Sequence, residues 1–220
     1  MRRTRRSWRA ARFLVVDVET TGLDPRRDEV ISFAAVPVEE GRIVVAEAVE
    51  GLVRPRLAGP SPTIEIHGIR PQDLLEAPSA PGALAPLGAA VRGRIVVAHG
   101  AWVERAFLAP LLRPHAVRLP RRLVDTAVLW RLLCLARGAA DPGWRALGAV
   151  AEALGLPVHR PHEAGGDALT TAQAFLALAT HLEAHGAGTV GAMFGARRRV
   201  EGWRLHGGWG VGRGAVARDA

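Results

Sequence analysis

Residues 13–18, Phe-Leu-Val-Val-Asp-Val, form an apolar run rich in β-branched side chains, and Glu19-Thr20-Thr21-Gly22-Leu23-Asp24 follows at once. A run of this kind predicts a strand buried on both faces, and so a strand in the middle of a sheet. Residues two apart on a strand point to the same side, so Asp17 and Glu19 project together from its carboxyl end. Two like charges in a desolvated place repel. A divalent cation relieves that repulsion, and carboxylate oxygens suit Mg²⁺ or Mn²⁺. A compatible fold must bury this strand and leave its carboxyl end open.

The rest of the chain supplies an α/β frame. Strands are expected over 29–38 and 43–53, with the Glu39-Glu40-Gly41 turn between them, over 94–98, and briefly at 123–124. A proline-dense stretch over 59–86 reads as loop with one helical turn. Helices are expected over 84–92, 101–112, 125–137, 144–154 and 167–185, the last burying Ala168, Ala172, Phe175, Leu176, Ala179 and Leu182 at helical spacing. This order predicts a mixed five-stranded sheet flanked by helices. Of 220 residues, 49% are hydrophobic, enough for one substantial core and no second domain.

Charge is unevenly spread. The net charge is +8, every basic residue is Arg, and the segments 1–12 and 196–220 together carry +10, leaving −2 for the middle. Residues 1–11 are therefore expected to be a flexible basic arm, 12–186 the folded domain, and 187–220 a disordered Gly/Arg-rich tail. Such tails would add salt-sensitive affinity for a nucleic-acid backbone. The lone Cys134 excludes a disulfide framework and a Cys-based zinc site. No apolar run reaches the length of a bilayer span, which excludes a membrane role and gives a cytoplasmic location as the expectation.

Two further segments carry chemistry. In His162-Glu-Ala-Gly-Gly-Asp167, the paired glycines would let the chain turn tightly, so that an imidazole and a carboxylate share one cleft. A metal ligand would then stand beside a general base able to take a proton from water. In His99-Gly-Ala-Trp102-Val-Glu104, a buried strand runs into a helix whose first turn holds an acid, where the helix dipole favours it.

Taken together in this order, the three segments resemble the DEDDh group of proofreading-type 3′–5′ exonucleases, in the RNase H-like superfamily, over about residues 12–185. The resemblance implies an RNase H-like fold and two divalent cations, Mg²⁺ or Mn²⁺, held by Asp17, Glu19, Glu104 and Asp167. It implies His162 as the residue activating water. It also implies substrate contacts at Thr20, Thr21, Gly22, Leu23, His67, His99 and Trp102, where His67-Gly68-Ile69 and Val124-Asp125-Thr126 are additional family-like features. The middle segment departs from the family pattern: Gly100 stands where Asn is usual and Glu104 where Asp is usual. The sister group with Tyr in place of His162 is excluded, since the chain has no Tyr.

The implied reaction releases nucleoside 5′-monophosphates from the 3′ end of single-stranded or frayed DNA. Trimming of RNA ends is the alternative within enzymes, and a nucleic-acid-binding module with weakened catalysis is the alternative outside them. A DNA polymerase is an implied partner; no glutamine-led clamp motif follows Gly186, which favours a stand-alone repair or turnover enzyme.

Overall fold

A computed structural model describes residues 5–56 and 63–207. The first four residues of the expected arm, residues 57–62 of the proline-dense stretch, and residues 208–220 of the expected tail lie outside the described residues.

Strand β1 (Arg12–Thr20) is central, as its double-sided apolar pattern requires. Leu14, Val16 and Val18 enter one core with Leu84, Leu87, Val96 and Leu108, while Phe13 and Val15 enter a second with Leu129, Leu133, Phe175 and Leu178. Strand β2 (Val30–Glu39) pairs with β1 antiparallel, setting Asp17 opposite Ala34 and Glu19 opposite Ser32, with a bulge between Glu19 and Thr20. Glu40 and Gly41, both at positive φ, make a two-residue hairpin into β3 (Arg42–Ile43).

The segment expected to be one strand over 43–53 is broken. A 3-10 turn at Val45–Glu47 lifts the chain off the sheet before β4 (Val49–Leu52) pairs with β2 again. Ala46, Glu47 and Ala48, weak strand formers, occupy the break. The sheet thus has six strands rather than five, because both short strands lie against β2.

Short helices α1 (Ile64–His67) and α2 (Ala80–Ala83) precede α3 (Ala85–Val91), and β5 (Ile95–Ala98) then runs parallel to β1. Helix α4 (Trp102–Leu111) leads to β6 (Val124–Asp125), parallel to β5, and to α5 (Thr126–Ala136). Helices α6 (Leu147–Ala153) and α7 (Ala164–Ala184) follow, α7 lying across β1 and β2. The carboxyl ends of β1, β5 and β6 all open on the same edge, the usual place for a ligand in a parallel sheet. Cys134, on α5, is half-buried and free.

Both ends of the chain correct the expected boundaries. Residues 190–207 form helix α8 (Val190–Gly207), whose Val190, Met193, Ala196 and Val200 are buried in the core shared with α5. Their three- and four-residue spacing puts one narrow apolar face on the domain, so this part of the tail is neither disordered nor separate. The arm docks beside it. Trp8 N–H donates to Gly188 O at 3.1 Å, Val190 N–H donates to Arg6 O at 3.0 Å, and the Trp8 ring is buried edge-on against Phe175. Among the described residues no helix is long and apolar enough to cross a membrane.

Candidate active site

Asp17 and Glu19 stand at the open end of β1 on the side that faces α7, both partly buried. The turn after them is tightly held: Thr20 Oγ1 donates to Gly22 O at 2.6 Å, Thr21 Oγ1 donates to Asp28 Oδ1 at 3.2 Å, and Asp24 N–H donates to Asp28 Oδ2 at 2.8 Å. Leu23, at the tip, is 62% exposed. Such a firm turn presents an apolar side chain and backbone polar groups at fixed positions beside the carboxylates.

Helix α4 brings the third acid. Glu104 sits in its first turn, is 4% exposed, and has no hydrogen-bond partner for Oε2. The turn before α4 is set by Gly100 at φ +70°, the left-handed region that Gly and Asn both tolerate. Gly100 adopts that conformation without steric cost. Asp125 fixes the same turn from β6. Its Oδ1 accepts from Gly100 N–H at 3.1 Å and from Ala127 N–H at 3.0 Å, and its Oδ2 accepts from Ala101 N–H at 3.3 Å. One carboxylate thus caps α5 and ties down the approach to Glu104.

His99 is locked behind that turn. Nε2–H donates to the Arg145 carbonyl at 2.8 Å and Nδ1 meets Thr126 Oγ1 at 2.9 Å, while burial lowers the imidazole's pKa. The Arg145 segment is itself anchored by a two-pronged Arg131–Asp141 ion pair at 2.7 and 2.8 Å. Trp144, 66% exposed, lies with its ring centre 6.4 Å from that of His99.

Asp167 comes from the first turn of α7, which begins at Ala164, earlier than expected. Gly165 and Gly166 are therefore helical and do not make a tight turn. Their smallness has another cause: a Cβ on Gly166 would overlap the His159 and Arg160 carbonyl oxygens, and one on Gly165 would overlap the Glu50 carboxylate. The helix start is pressed against the preceding loop and β4. His162 is exposed and holds φ +62°, and its backbone N–H donates to Asp167 Oδ2 at 2.9 Å.

Asp17, Glu19 and Asp167 each offer a carboxylate oxygen within 4.8 Å of the others. Glu104 is outside that trio but close to it. Burial drives Asp17 well above the usual carboxylate range, and the charges of Glu104, Glu19 and Asp167 add to the effect. Burial and then the Asp167 charge raise Glu19 to about 7. Glu104 is raised to about 8, by burial and then by Asp125 and Glu19. Burial also raises Asp167, against the His162 backbone bond and the His162 and His99 rings, which lower it. Four acids held this way, one with an unpartnered buried oxygen, fit divalent cations.

The remaining predicted residues surround this cluster or support it. His67 is nearly buried: Nδ1 accepts from Ile69 N–H at 3.0 Å, Nε2–H donates to Thr63 Oγ1 at 2.9 Å, and Thr63 Oγ1 donates to Thr20 O at 2.7 Å. Nε2 thus braces the Thr20 turn through Thr63, while Nδ1 holds the His67-Gly68-Ile69 loop in place. Trp102 is 55% exposed at the start of α4. A cleft of about 410 Å³ is lined by residues of β2 and β4, by the His67-Gly68-Ile69 loop and by His162 to Gly165. Asp125 and Trp144 had no role assigned from sequence. Asp125 carried a signal, an acid between a buried strand and an apolar helix, where a cap is expected. Trp144 carried none.

Comparison with known proteins accords with this geometry. Residues 14–175 match the family described as Exonuclease (RNase_T), a span that includes all four acids and His162. A DNA polymerase III subunit epsilon-like protein of Rhodobacter capsulatus is 34% identical over 188 residues, covering 82% of this chain and 25% of that protein. The 3′-5′ exonuclease DinG of Bacillus subtilis is 30% identical over 169 residues, covering 75% of this chain and 17% of its own. The chain thus spans a quarter or less of the length of these relatives. Among solved structures, Exonuclease X in complex with 5′ overhanging duplex DNA superposes with a TM-score of 0.63 at 24% identity, covering 84% of this chain and 98% of that one. The sheet and helices therefore have the RNase H-like exonuclease fold, and the chain belongs to the exonuclease family.

Proposed function

We propose that this protein removes nucleotides one at a time from the 3′ end of a single-stranded or frayed DNA strand, releasing nucleoside 5′-monophosphates. The observation that carries the reading is the trio of Asp17, Glu19 and Asp167 oxygens with the buried, unpartnered Glu104 carboxylate beside it. Asp17, Glu19, Asp167 and Glu104 would hold two divalent cations, Mg²⁺ or Mn²⁺. Bound cations supply charge neutralisation at the phosphodiester and make water a better nucleophile at neutral pH.

The chain's own groups do the rest. His162 stands on an exposed loop fastened to Asp167, where an imidazole nitrogen can take a proton from the attacking water. The Thr20–Leu23 turn fixes the terminal nucleotide, with Leu23 against the base and the turn's backbone toward the sugar. Trp102 and Trp144, both exposed near His99, offer stacking surfaces for bases, and stacking of this kind favours unpaired strands. His67 acts on the same turn through Thr63. The name of one relative, the 3′-5′ exonuclease DinG, supports the direction of attack.

A 5′-labelled single-stranded oligonucleotide tests this reading. In Mg²⁺ or Mn²⁺ the label should appear in a ladder shortened one nucleotide at a time from the 3′ end. Fragments cut internally, or shortening from the 5′ end, would contradict it. The same ladder with an RNA strand, faster than with DNA, would move the substrate to RNA.

A further inference from the structure

The basic character of this chain is not confined to its ends. Between Glu104 and Asp125 stand Arg105, Arg113, Arg118, Arg121, Arg122 and His115, with no Asp or Glu. The fold gathers part of this set with an arginine from the far end of the chain. A groove of about 350 Å³ is lined by Trp102, Arg105, Arg121, Arg122 and Arg197, together with Asp125. Arg197 is delivered by α8, whose buried face of Met193 and Ala196 places the next residue on the groove's rim.

Helix α4 is the wall between this groove and the candidate active site. Trp102, Arg105 and Ala109 fall on one stripe and line the groove or its continuation, whereas Glu104, Phe107 and Leu108 are buried on the other side. Arg105 Nε donates to Pro120 O at 3.2 Å and so braces the loop that carries Arg121 and Arg122. Among the described residues, Arg113, Arg118, Arg121, Arg122 and Arg197 form no ion pair with a carboxylate. Of these, Arg121, Arg122 and Arg197 share the groove with Arg105, and guanidinium groups gathered in one concave place repel one another and raise the local anion concentration. Their planar forks match phosphate oxygens.

We infer that this groove binds the phosphate backbone of a nucleic-acid strand on the 5′ side of the nucleotide being removed. Arg121, Arg122 and Arg197 take successive phosphates, and Trp102 stacks on a base as the strand passes the end of α4. The inference rests on the exonuclease reading for its polarity, though not for the binding itself.

The test is fluorescence anisotropy of single-stranded DNA in EDTA, across a range of salt, with wild type and the triple variant Arg121→Ala, Arg122→Ala, Arg197→Ala. All three side chains are exposed, and Arg105 is left in place because it braces the loop. Loss of three phosphate contacts should weaken binding of a strand of about 12 nucleotides at least tenfold and make the log–log salt slope shallower by about two. Wild type should bind that strand more tightly than one of about three nucleotides, and the variant should lose the gain. A control with Arg42→Ala and Arg137→Ala, exposed on other parts of the surface, should keep the wild-type slope. An unchanged affinity and slope in the triple variant, or an equal loss in the control, would overturn the inference and leave the groove to an acidic protein partner. If wild type binds through these arginines yet degrades no strand in Mg²⁺ or Mn²⁺, the groove stands as a nucleic-acid site and the exonuclease reading fails.

Discussion

The backbone N–H of His162 donates to Asp167 Oδ2 at 2.9 Å, so the loop bearing the imidazole and the helix bearing the carboxylate are fastened at one point. Asp167 then has two tasks: acceptor for the loop, and member of the trio with Asp17 and Glu19. Asp167→Asn retains a carbonyl acceptor and loses charge, while Asp167→Ala loses both. Both variants should abolish nucleotide release. Only Asp167→Ala should also raise protease cleavage at residues 160–163, and equal cleavage of the two variants would contradict the dual role.

His162 holds φ +62°, a conformation that costs a non-glycine residue about 1 kcal/mol or more and that Asn tolerates better than most. His162→Asn should therefore leave the melting temperature unchanged or slightly higher while lowering turnover about 100- to 10,000-fold. Thermal unfolding and initial rates on the same preparations check both halves. A stable variant with full activity would remove His162 from the proton transfer.

Without metal, burial and neighbouring charge hold Glu19 at about 7 and Glu104 at about 8. In the unfolded chain a glutamate titrates at about 4.3. The folded pKa is the higher one, so the folded protein retains protons that the unfolded chain has released. The stability this contributes is complete below about pH 4 and is lost as pH rises through 7 to 8. In EDTA the melting temperature should fall across that window, and Mn²⁺ should restore it. Glu104→Gln, which cannot ionise, should flatten the fall; an undiminished fall in that variant would contradict the assignment.

Val190, Met193, Ala196 and Val200 bury one face of α8 in the core with α5, and Trp8 packs beside it on Phe175. Ending the chain after Gly186 would uncover that core, and each large apolar side chain so removed contributes about 1.5–3 kcal/mol when buried. The shortened chain should unfold at markedly lower temperature than the full chain or be insoluble. Equal stability of the two would return 187–207 to the status of a dispensable tail.

The legible and illegible parts of this molecule differ for physical reasons. Asp17 and Glu19 could be placed because strand geometry has a strict two-residue period, and the apolar run fixed which end was open. The start of α7 could not, since Glu163 at its N-cap makes no side-chain cap bond and nothing before Asp167 signals a helix. Gly165 and Gly166 looked like a turn because close packing of a helix start against the preceding loop and β4 calls for the same residue type as a left-handed turn. In α8 the apolar face is built from alanine and isolated larger residues, and arginines on either side mask it. The groove of Arg121, Arg122 and Arg197 depends on two segments that meet only in the folded chain. Asp125, by contrast, sat at a recognisable cap position, and its bonds to Gly100 and Ala101 extend that cap into support for Glu104.

The most direct measurement compares wild type with Asp17→Asn, recording release of nucleoside 5′-monophosphate from single-stranded DNA together with the shift in melting temperature on adding Mn²⁺. Burial opposes the charge on Asp17, and the charges of Glu104, Glu19 and Asp167 each add to that opposition. Wild type should show metal-dependent release and a metal-induced rise in melting temperature, and Asp17→Asn should lose both. Release that persists in Asp17→Asn, or a wild type that neither releases nucleotides nor is stabilised by metal, would contradict the proposed function.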